Sequence, residues 1–233
     1  MRFVLVHGGM HGAWCWAYVL EALKERGHGV VAPDLPGHGA KSGEPSSLKS
    51  YQDTLVQIIE PGDVLVGHSL GGAAITLAAD ARAEDIHCLI YIAAPIPAEG
   101  QTLAEVIPPL GDTGAIVSDQ GSYWLSDVDA AKRFFYHDCG EADIFWAYRN
   151  IRPQTMSVLG EEMHVSRFWA GTTPRREYIV CLDDRTGILP EIEVYLKRLG
   201  VTTAHPFWAS HSPMISRPED LASLLVGIAD GLP

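Results

Sequence analysis

Short, continuously apolar runs separated by helix-like segments constrain the fold of this 233-residue chain more than any other feature. The runs are FVLVHG (3–8), GVVAPD (29–34), DVLVGHS (63–69), CLIYIAAP (88–95) and EYIVCLDD (177–184). Strands that are apolar on both faces are typical of a parallel sheet covered by helices on both sides. The sequence therefore predicts an α/β fold with a mostly parallel central sheet.

Helix-like segments fill the intervals between these runs. They are predicted at 14–26, 48–60, 71–82 and 190–199. A last helix is expected from Pro218, because proline and the acidic residues after it suit a helix N-terminus.

The stretch from about 98 to 168 interrupts this alternation. It lacks a convincing buried strand, and its aromatic and polar residues read as two or three short amphipathic helices. We predict a single domain in which 1–97 and 169–233 form the core and 98–168 forms a small helical cap. Most of the aromatic residues in or near the cap are expected to pack it onto the core; they are Trp124, Phe134, Phe135, Trp146 and Trp169.

Composition excludes some partners. The formal net charge of −12 argues against nucleic acid, because nucleic-acid binders usually carry a basic face. No stretch approaches the ~18–20 apolar residues of a membrane span. The four cysteines lack CxxC spacing and are expected to be free thiols of a cytoplasmic protein.

The segment GHSLGG matches the G-x-S-x-G pattern around Ser69. A strand precedes it and a helix pattern follows, so the serine is expected in a sharp turn that Gly67 and Gly71 permit. A hydroxyl exposed there is placed as a nucleophile, and the N–H of Leu70 is placed for a developing oxyanion. A phosphate-binding loop would need a lysine that is absent here, and a plain N-cap serine is the remaining alternative.

A serine nucleophile needs a base and an orienting acid, which in this architecture follow it in the order acid, then histidine. His211, in a loop before the last helix, is favoured over His205, which is expected to enter the final strand. The strand end at YIVCLDD offers Asp183 and Asp184 as acids. Alternation along the strand does not decide between them, and Asp184 is weakly favoured because it lies nearer the turn.

The loop VHGGMHGAWCW should supply a second oxyanion donor, and the N–H of Gly9 is our choice. His7 and His11 lie four residues apart but lack the H-E-x-x-H pattern, so we expect neither a metal nor a cofactor. Asp34 and His38 in APDLPGHG are expected to be structural.

Four segments resemble, in the same order, those of α/β-hydrolases: FVLVHGGMHGAWCW, GHSLGG, YIVCLDD and SHSPMISRPEDLASLL. The resemblance is closest to plant methylesterases, hydroxynitrile lyases and bacterial esterase-like relatives. It implies the α/β-hydrolase fold, with Ser69 as nucleophile, Asp184 as acid and His211 as base. It also implies an oxyanion hole of the Gly9 and Leu70 N–H groups, and it allows a homodimer.

Two departures bear on the reaction. The resembling lyases carry a lysine after the catalytic histidine, where this chain has Ser212, and a threonine at the position of Gly8. The sequence hypothesis is therefore a cofactor-independent serine esterase acting on a small or medium carboxylic ester. The alternatives are hydroxynitrile lyase-type cleavage with the same triad and a non-catalytic ligand-binding homologue.

Overall fold

A computed structural model describes residues 1–107, 115–119, 121–171 and 174–231, and this part of the chain contains nine strands. In chain order they are β1 (Arg2–Val6), β2 (Gly29–Val31), β3 (Asp63–His68), β4 (Ile86–Ile92), β5 (Ala115–Val117), β6 (Ser122–Leu125), β7 (Gln154–Thr155), β8 (Arg175–Cys181) and β9 (His205–Phe207). Six of them form one sheet in the order β2-β1-β3-β4-β8-β9, and every pairing in it is parallel. The predicted α/β fold with a mostly parallel central sheet is confirmed.

The α-helices of the described residues lie mainly between these strands. They are α1 (Ala17–Glu25), α2 (Leu48–Val56), α3 (Gly71–Arg82), α4 (Val128–Ala131), α5 (Glu141–Asn150), α6 (Ser166–Ala170), α7 (Ile192–Leu199), α8 (Pro213–Ser216) and α9 (Pro218–Asp230). Helix α1 packs against α9, and α2 packs against α3. Helix α9 begins with Pro218 and has acidic residues in its first turn, as predicted. No helix in the described ranges is long and apolar enough to cross a membrane.

Strand β3 lies inside the sheet, between β1 and β4. Val64, Leu65 and Val66 are consecutive and all fully buried. Since neighbouring side chains of a strand point to opposite faces, both faces of the sheet are covered at this strand. The carboxyl end of β3 therefore emerges from the centre of the core.

The segment between β4 and β8 differs from the purely helical insert that the sequence predicted. It contains helices α4 to α6 and a π-helical turn at Lys132–Tyr136, but also an antiparallel sheet of β5, β6 and β7. These strands are two to four residues long, too short for a period of two to stand out in the sequence. We keep the name cap for residues 98–168, and its separation from the core stays a prediction.

Glycines let α3 approach the end of β1 closely. A Cβ added at Gly71 would lie 2.5 Å from the carbonyl oxygen of Val6 and 2.7 Å from that of His7. A Cβ at Gly67 would lie 2.6 Å from the carbonyl oxygen of Gly71. Real Cβ atoms essentially never come that near, so the turn between β3 and α3 requires glycine on both sides.

Replacing Gly71 by alanine tests this contact. We expect Gly71→Ala to lower the free energy of unfolding by about 3 kcal/mol, because backbone atoms would have to move apart. Urea unfolding followed by circular dichroism measures the loss.

Gly227→Ala in α9 is the matched control, since no described atom outside the adjoining residues and the helix's own backbone lies within 4 Å of the added Cβ. Alanine favours a helix over glycine, so stability should rise by about 0.5–1 kcal/mol. Similar losses in both variants would contradict the packing argument.

Candidate active site

Ser69 occupies the turn between β3 and α3 in a strained conformation. Its φ is +50°, which is uncommon for a residue with a side chain. The Ser69 N–H donates to the Ile92 carbonyl oxygen at 2.9 Å, and the Ser69 carbonyl accepts from Gly72 N–H at 2.9 Å. These bonds hold the strained turn, and the serine lines a cavity at the carboxyl end of β3. This is the geometry expected of a nucleophile on a strand-to-helix turn.

His211 and Asp184 form a buried pair beside this serine. Nδ1 of His211 lies 2.7 Å from Oδ2 of Asp184. Asp184 follows β8, and His211 lies in the loop between β9 and α8. The His211 ring lines the same cavity as Ser69.

The two rival residues are engaged elsewhere. The Asp183 side chain is 52% exposed, and its carboxylate lies 3.0 Å from Nε2 of His137. His205 is the first residue of β9, as predicted, and its ring contacts Glu177 at 3.0 Å. The structure therefore brings Asp184 and His211 together and places Asp183 and His205 apart from that pair.

Thr186 holds Asp184 through two hydrogen bonds that the sequence reading missed. Oδ1 of Asp184 accepts from Thr186 N–H at 2.8 Å and from Thr186 Oγ1–H at 2.6 Å. A backbone bond from two residues ahead is an Asx turn, so the D-x-T spacing was an available signal. Burial by itself raises the pKa of Asp184, but contact with His211 and the bonds from Thr186 outweigh burial and hold that pKa below its usual range.

The two backbone N–H groups proposed as oxyanion donors face the cavity without an acceptor in the part of the chain that the structure describes. Gly9 and Leu70 line it, and their backbone N–H groups have no acceptor within the described residues. Nδ1–H of His7 donates to the Gly8 carbonyl at 2.8 Å, and Nε2 of His7 accepts from Leu35 N–H at 3.1 Å. Because a peptide group is planar, the bond to the Gly8 oxygen also orients the Gly9 N–H. His7 thus has a structural task beside the cavity.

Two further buried imidazoles, those of His11 and His68, line the cavity and are uncharged. His11 donates from Nδ1 to the Gly9 carbonyl and accepts at Nε2 from the Tyr136 hydroxyl, both at 2.7 Å. Burial lowers the pKa of His11 to about 4. Burial and the neighbouring His211 likewise lower the pKa of His68, whose Nε2–H donates to the His211 carbonyl at 2.8 Å. Both rings are therefore neutral at pH 7.

The loop containing Asp34 and His38 is structural, as expected. Asp34 accepts from Ala13 N–H at 2.7 Å and from Ala40 N–H at 2.9 Å. His38 donates from Nε2 to Oε1 of the cap residue Gln154 at 2.8 Å. Among the described residues, no group of three or more His, Cys, Asp or Glu side chains is arranged to hold a metal ion.

The π-helical turn of the cap contacts the loops that carry the site. Ser210, next to His211, donates its hydroxyl to the Phe135 carbonyl at 3.0 Å and its N–H to Asp138 at 2.8 Å. The Phe135 ring stacks on the His211 ring, with centroids 5.4 Å apart. Through its hydroxyl, Tyr136 holds His11. This segment therefore positions the site as well as covering it.

Most of the cap aromatics pack the structure, as expected. Of the five residues singled out in the sequence, Phe134 and Phe135 line the cavity. The others lie elsewhere: Trp124 in a surface groove, Trp146 against Trp14 and Trp169 against Phe168.

Removing the Thr186 hydroxyl tests its support of Asp184. Thr186→Val should lower the free energy of unfolding at pH 7 by about 1.5–3 kcal/mol, the usual range for a hydrogen bond to a charged group. A depressed carboxyl pKa contributes stability above the unfolded pKa of about 3.9, and that contribution is lost as pH falls through the folded-state pKa. The difference between variant and wild type should therefore shrink below about pH 4.

Unfolding curves from pH 7 to pH 3 measure this difference, and Thr186→Ser, which keeps a hydroxyl, is the control. A deficit in Thr186→Val that stays constant over the whole range would contradict the assignment.

Comparisons with known proteins give the family. A model described as the alpha/beta hydrolase family matches residues 3–224. The "Probable esterase PIR7A" of Oryza sativa is 30% identical, over 98% of this chain and 96% of that protein. The "Putative methylesterase 15, chloroplastic" of Arabidopsis thaliana is 28% identical over 98% of this chain, which spans 56% of that relative's length.

A solved structure agrees with these matches. A pyrethroid hydrolase from Sphingobium faniae superposes with a TM-score of 0.80 at 26% identity, covering 99% of this chain and 97% of that one. The resemblance predicted from the sequence motifs is confirmed, and the chain belongs to the alpha/beta hydrolase family.

Proposed function

We propose that the protein hydrolyses a small or medium carboxylic ester through an acyl-enzyme intermediate on Ser69, with His211 as base and Asp184 as its partner. The observation that carries the proposal is the Asp184–His211 pair, which lies beside a cavity that both His211 and the strained Ser69 line. Ester hydrolysis as the reaction class is supported by relatives named esterase and methylesterase.

The hydrogen bonds of His211 support a definite set of proton transfers. Because Asp184 binds Nδ1, the other ring nitrogen of His211, Nε2, is left to take the Ser69 proton. Oγ of Ser69 attacks the ester carbonyl, and the Asp184 carboxylate stabilises the imidazolium that forms. The imidazolium then protonates the departing alkoxide, and the same nitrogen activates water to release the acid.

The backbone supplies the electrostatic part of catalysis. The tetrahedral intermediate carries a negative oxygen, for which the free N–H groups of Gly9 and Leu70 are the proposed donors. The strained turn and the His7 bond set these donors in place before substrate binds, so no reorganisation is required during the reaction.

Cleavage of hydroxynitriles is less well supported. The threonine that the resembling lyases carry would stand at Gly8, where an added Cβ would lie 2.9 Å from both His68 Nδ1 and Ser69 Cβ. A side chain there would require the loop to shift. A cytoplasmic location, a homodimer and the absence of nucleic-acid and membrane partners stay predictions.

Removing the nucleophile tests the proposal directly. Ser69→Ala should reduce turnover of p-nitrophenyl acetate by about 10⁴-fold or more, because the attacking oxygen is lost. A fluorophosphonate probe should label the wild type at Ser69, as measured by intact-protein mass spectrometry, and should leave the variant unlabelled. A folded Ser69→Ala protein that keeps most of its activity would overturn the mechanism.

The chain offers matched pairs for the other two residues. Asp184→Asn and His211→Gln should each lower kcat by about 10⁴-fold, because the base loses its partner or is itself absent. Asp183→Asn and His205→Gln change the same chemical groups outside the proposed triad and should keep kcat within about threefold. Equal losses within either pair would reject the assignment of that residue.

A further inference from the structure

Two polar side chains of the cap sheet reach the loop that follows β1. Tyr123 in β6 pairs directly with Gln154 in β7, so the two side chains point to the same face. A Cβ built on Gly9 would lie 3.0 Å from Gln154 Oε1 and 3.6 Å from the Tyr123 hydroxyl oxygen. Both polar groups therefore lie beside the glycine whose N–H is the proposed oxyanion donor.

The polar atoms of Gln154 are already bonded within the protein. Its Oε1 accepts from Met10 N–H at 3.3 Å and from His38 Nε2–H at 2.8 Å. Its Nε2 donates to the Thr155 carbonyl at 3.1 Å. Gln154 thus joins the cap to the core and is not available to a ligand.

Tyr123 differs from Gln154 because its polar atom is not bonded within the described residues. It is only 9% exposed and lines the cavity of Ser69, yet its hydroxyl has no hydrogen-bond partner within the described residues. Burial raises the pKa of this phenol, so it remains a protonated donor at neutral pH. The hydroxyl oxygen is not among the fully enclosed unpaired polar atoms, so it is accessible from the cavity that Tyr123 lines, where it can donate to an acceptor of a bound molecule.

The other polar side chains around the cavity have tasks assigned above. Both ring nitrogens of His11 are bonded, and the Thr186 hydroxyl donates to the triad acid. His68 donates from Nε2 to the His211 carbonyl, and its buried Nδ1, which has no partner within the described residues, is then an acceptor and cannot donate to a substrate oxygen. Apart from the reacting serine, the Tyr123 hydroxyl is therefore the one side-chain hydroxyl left free among the described residues that line the cavity.

We propose that Tyr123 forms a substrate subsite, in which its phenol donates a hydrogen bond to an oxygen of the ester outside the scissile carboxyl group. The N–H groups of Gly9 and Leu70 serve the scissile carbonyl, which leaves the phenol for a second acceptor. No Lys, Arg, Asp or Glu is among the described residues lining the cavity. The substrate class is therefore an uncharged ester that carries a carbonyl, hydroxyl or ether oxygen in its acyl or alcohol part, and this inference rests on the proposed ester hydrolysis.

Paired esters that differ by one CH2-to-oxygen exchange test the subsite. Methyl 3-methoxypropanoate with methyl pentanoate probes the acyl side, and 2-methoxyethyl acetate with butyl acetate probes the alcohol side. Tyr123→Phe removes only the hydroxyl. In at least one pair, the ratio of kcat/KM for the oxygen-bearing ester to that for the hydrocarbon ester should fall about tenfold, the effect of one lost hydrogen bond. Using ratios cancels differences in intrinsic reactivity between the esters.

Tyr148→Phe is the matched control, since Tyr148 is a second cap tyrosine that lines a separate surface groove. Its ratios should equal those of the wild type. Unchanged ratios in Tyr123→Phe, or an equal loss for both members of each pair, would overturn the subsite. In those two cases Ser69-dependent hydrolysis of the hydrocarbon esters would continue in the wild type, so the proposed function would survive. If the wild type hydrolysed no ester, the proposed function would fail and this inference with it.

Discussion

The close contact between α3 and the end of β1 is the constraint on which the rest of the site depends. Gly71 lies against the carbonyl oxygens of Val6 and His7, at a spacing that leaves no room for a Cβ. This approach fixes where α3 starts, and hence where the Leu70 N–H and the Ser69 side chain lie. It also places the loop after β1 beside the nucleophile, so that Gly9 and Leu70 line one cavity. One backbone contact thus positions the proposed nucleophile and both proposed oxyanion donors.

The cap supplies what the sheet cannot. The Phe135 carbonyl in its π-helical turn accepts a hydrogen bond from Ser210 in the loop of His211, and the Tyr136 hydroxyl in the same turn donates to His11. The small sheet contributes Gln154, which ties the first loop down, and Tyr123, whose hydroxyl remains free. The site is therefore shared between a rigid sheet edge that carries the proposed triad and a cap that sets the shape and polarity of the cavity.

The sequence predicted the central sheet and the position of Ser69 well because both signals are local. A buried parallel strand is apolar at every position, and the turn around Ser69 needs glycine at defined offsets. For the acid and the base the local pattern offered two candidates each, since Asp183 and Asp184 are adjacent and His205 and His211 both follow the last long strand. The short cap strands and the support from Thr186 were missed. The strands span too few residues to show a period, and the D-x-T signal gains meaning only beside an assigned acid.

The sequence by itself determined the fold class, the strained serine turn and the chain order of the candidate residues, because each is set by neighbours a few residues away. The strand pattern left Asp183 and Asp184 as alternatives and the family resemblance favoured Asp184; only the tertiary structure showed the contact of Asp184 with His211, because that contact depends on how the chain turns after β8. It alone showed which cap aromatics line the cavity and that Tyr123 keeps an unpaired hydroxyl there. These features depend on contacts between residues far apart in the chain. Such residues meet only when the chain packs in three dimensions, and local sequence patterns do not encode that packing.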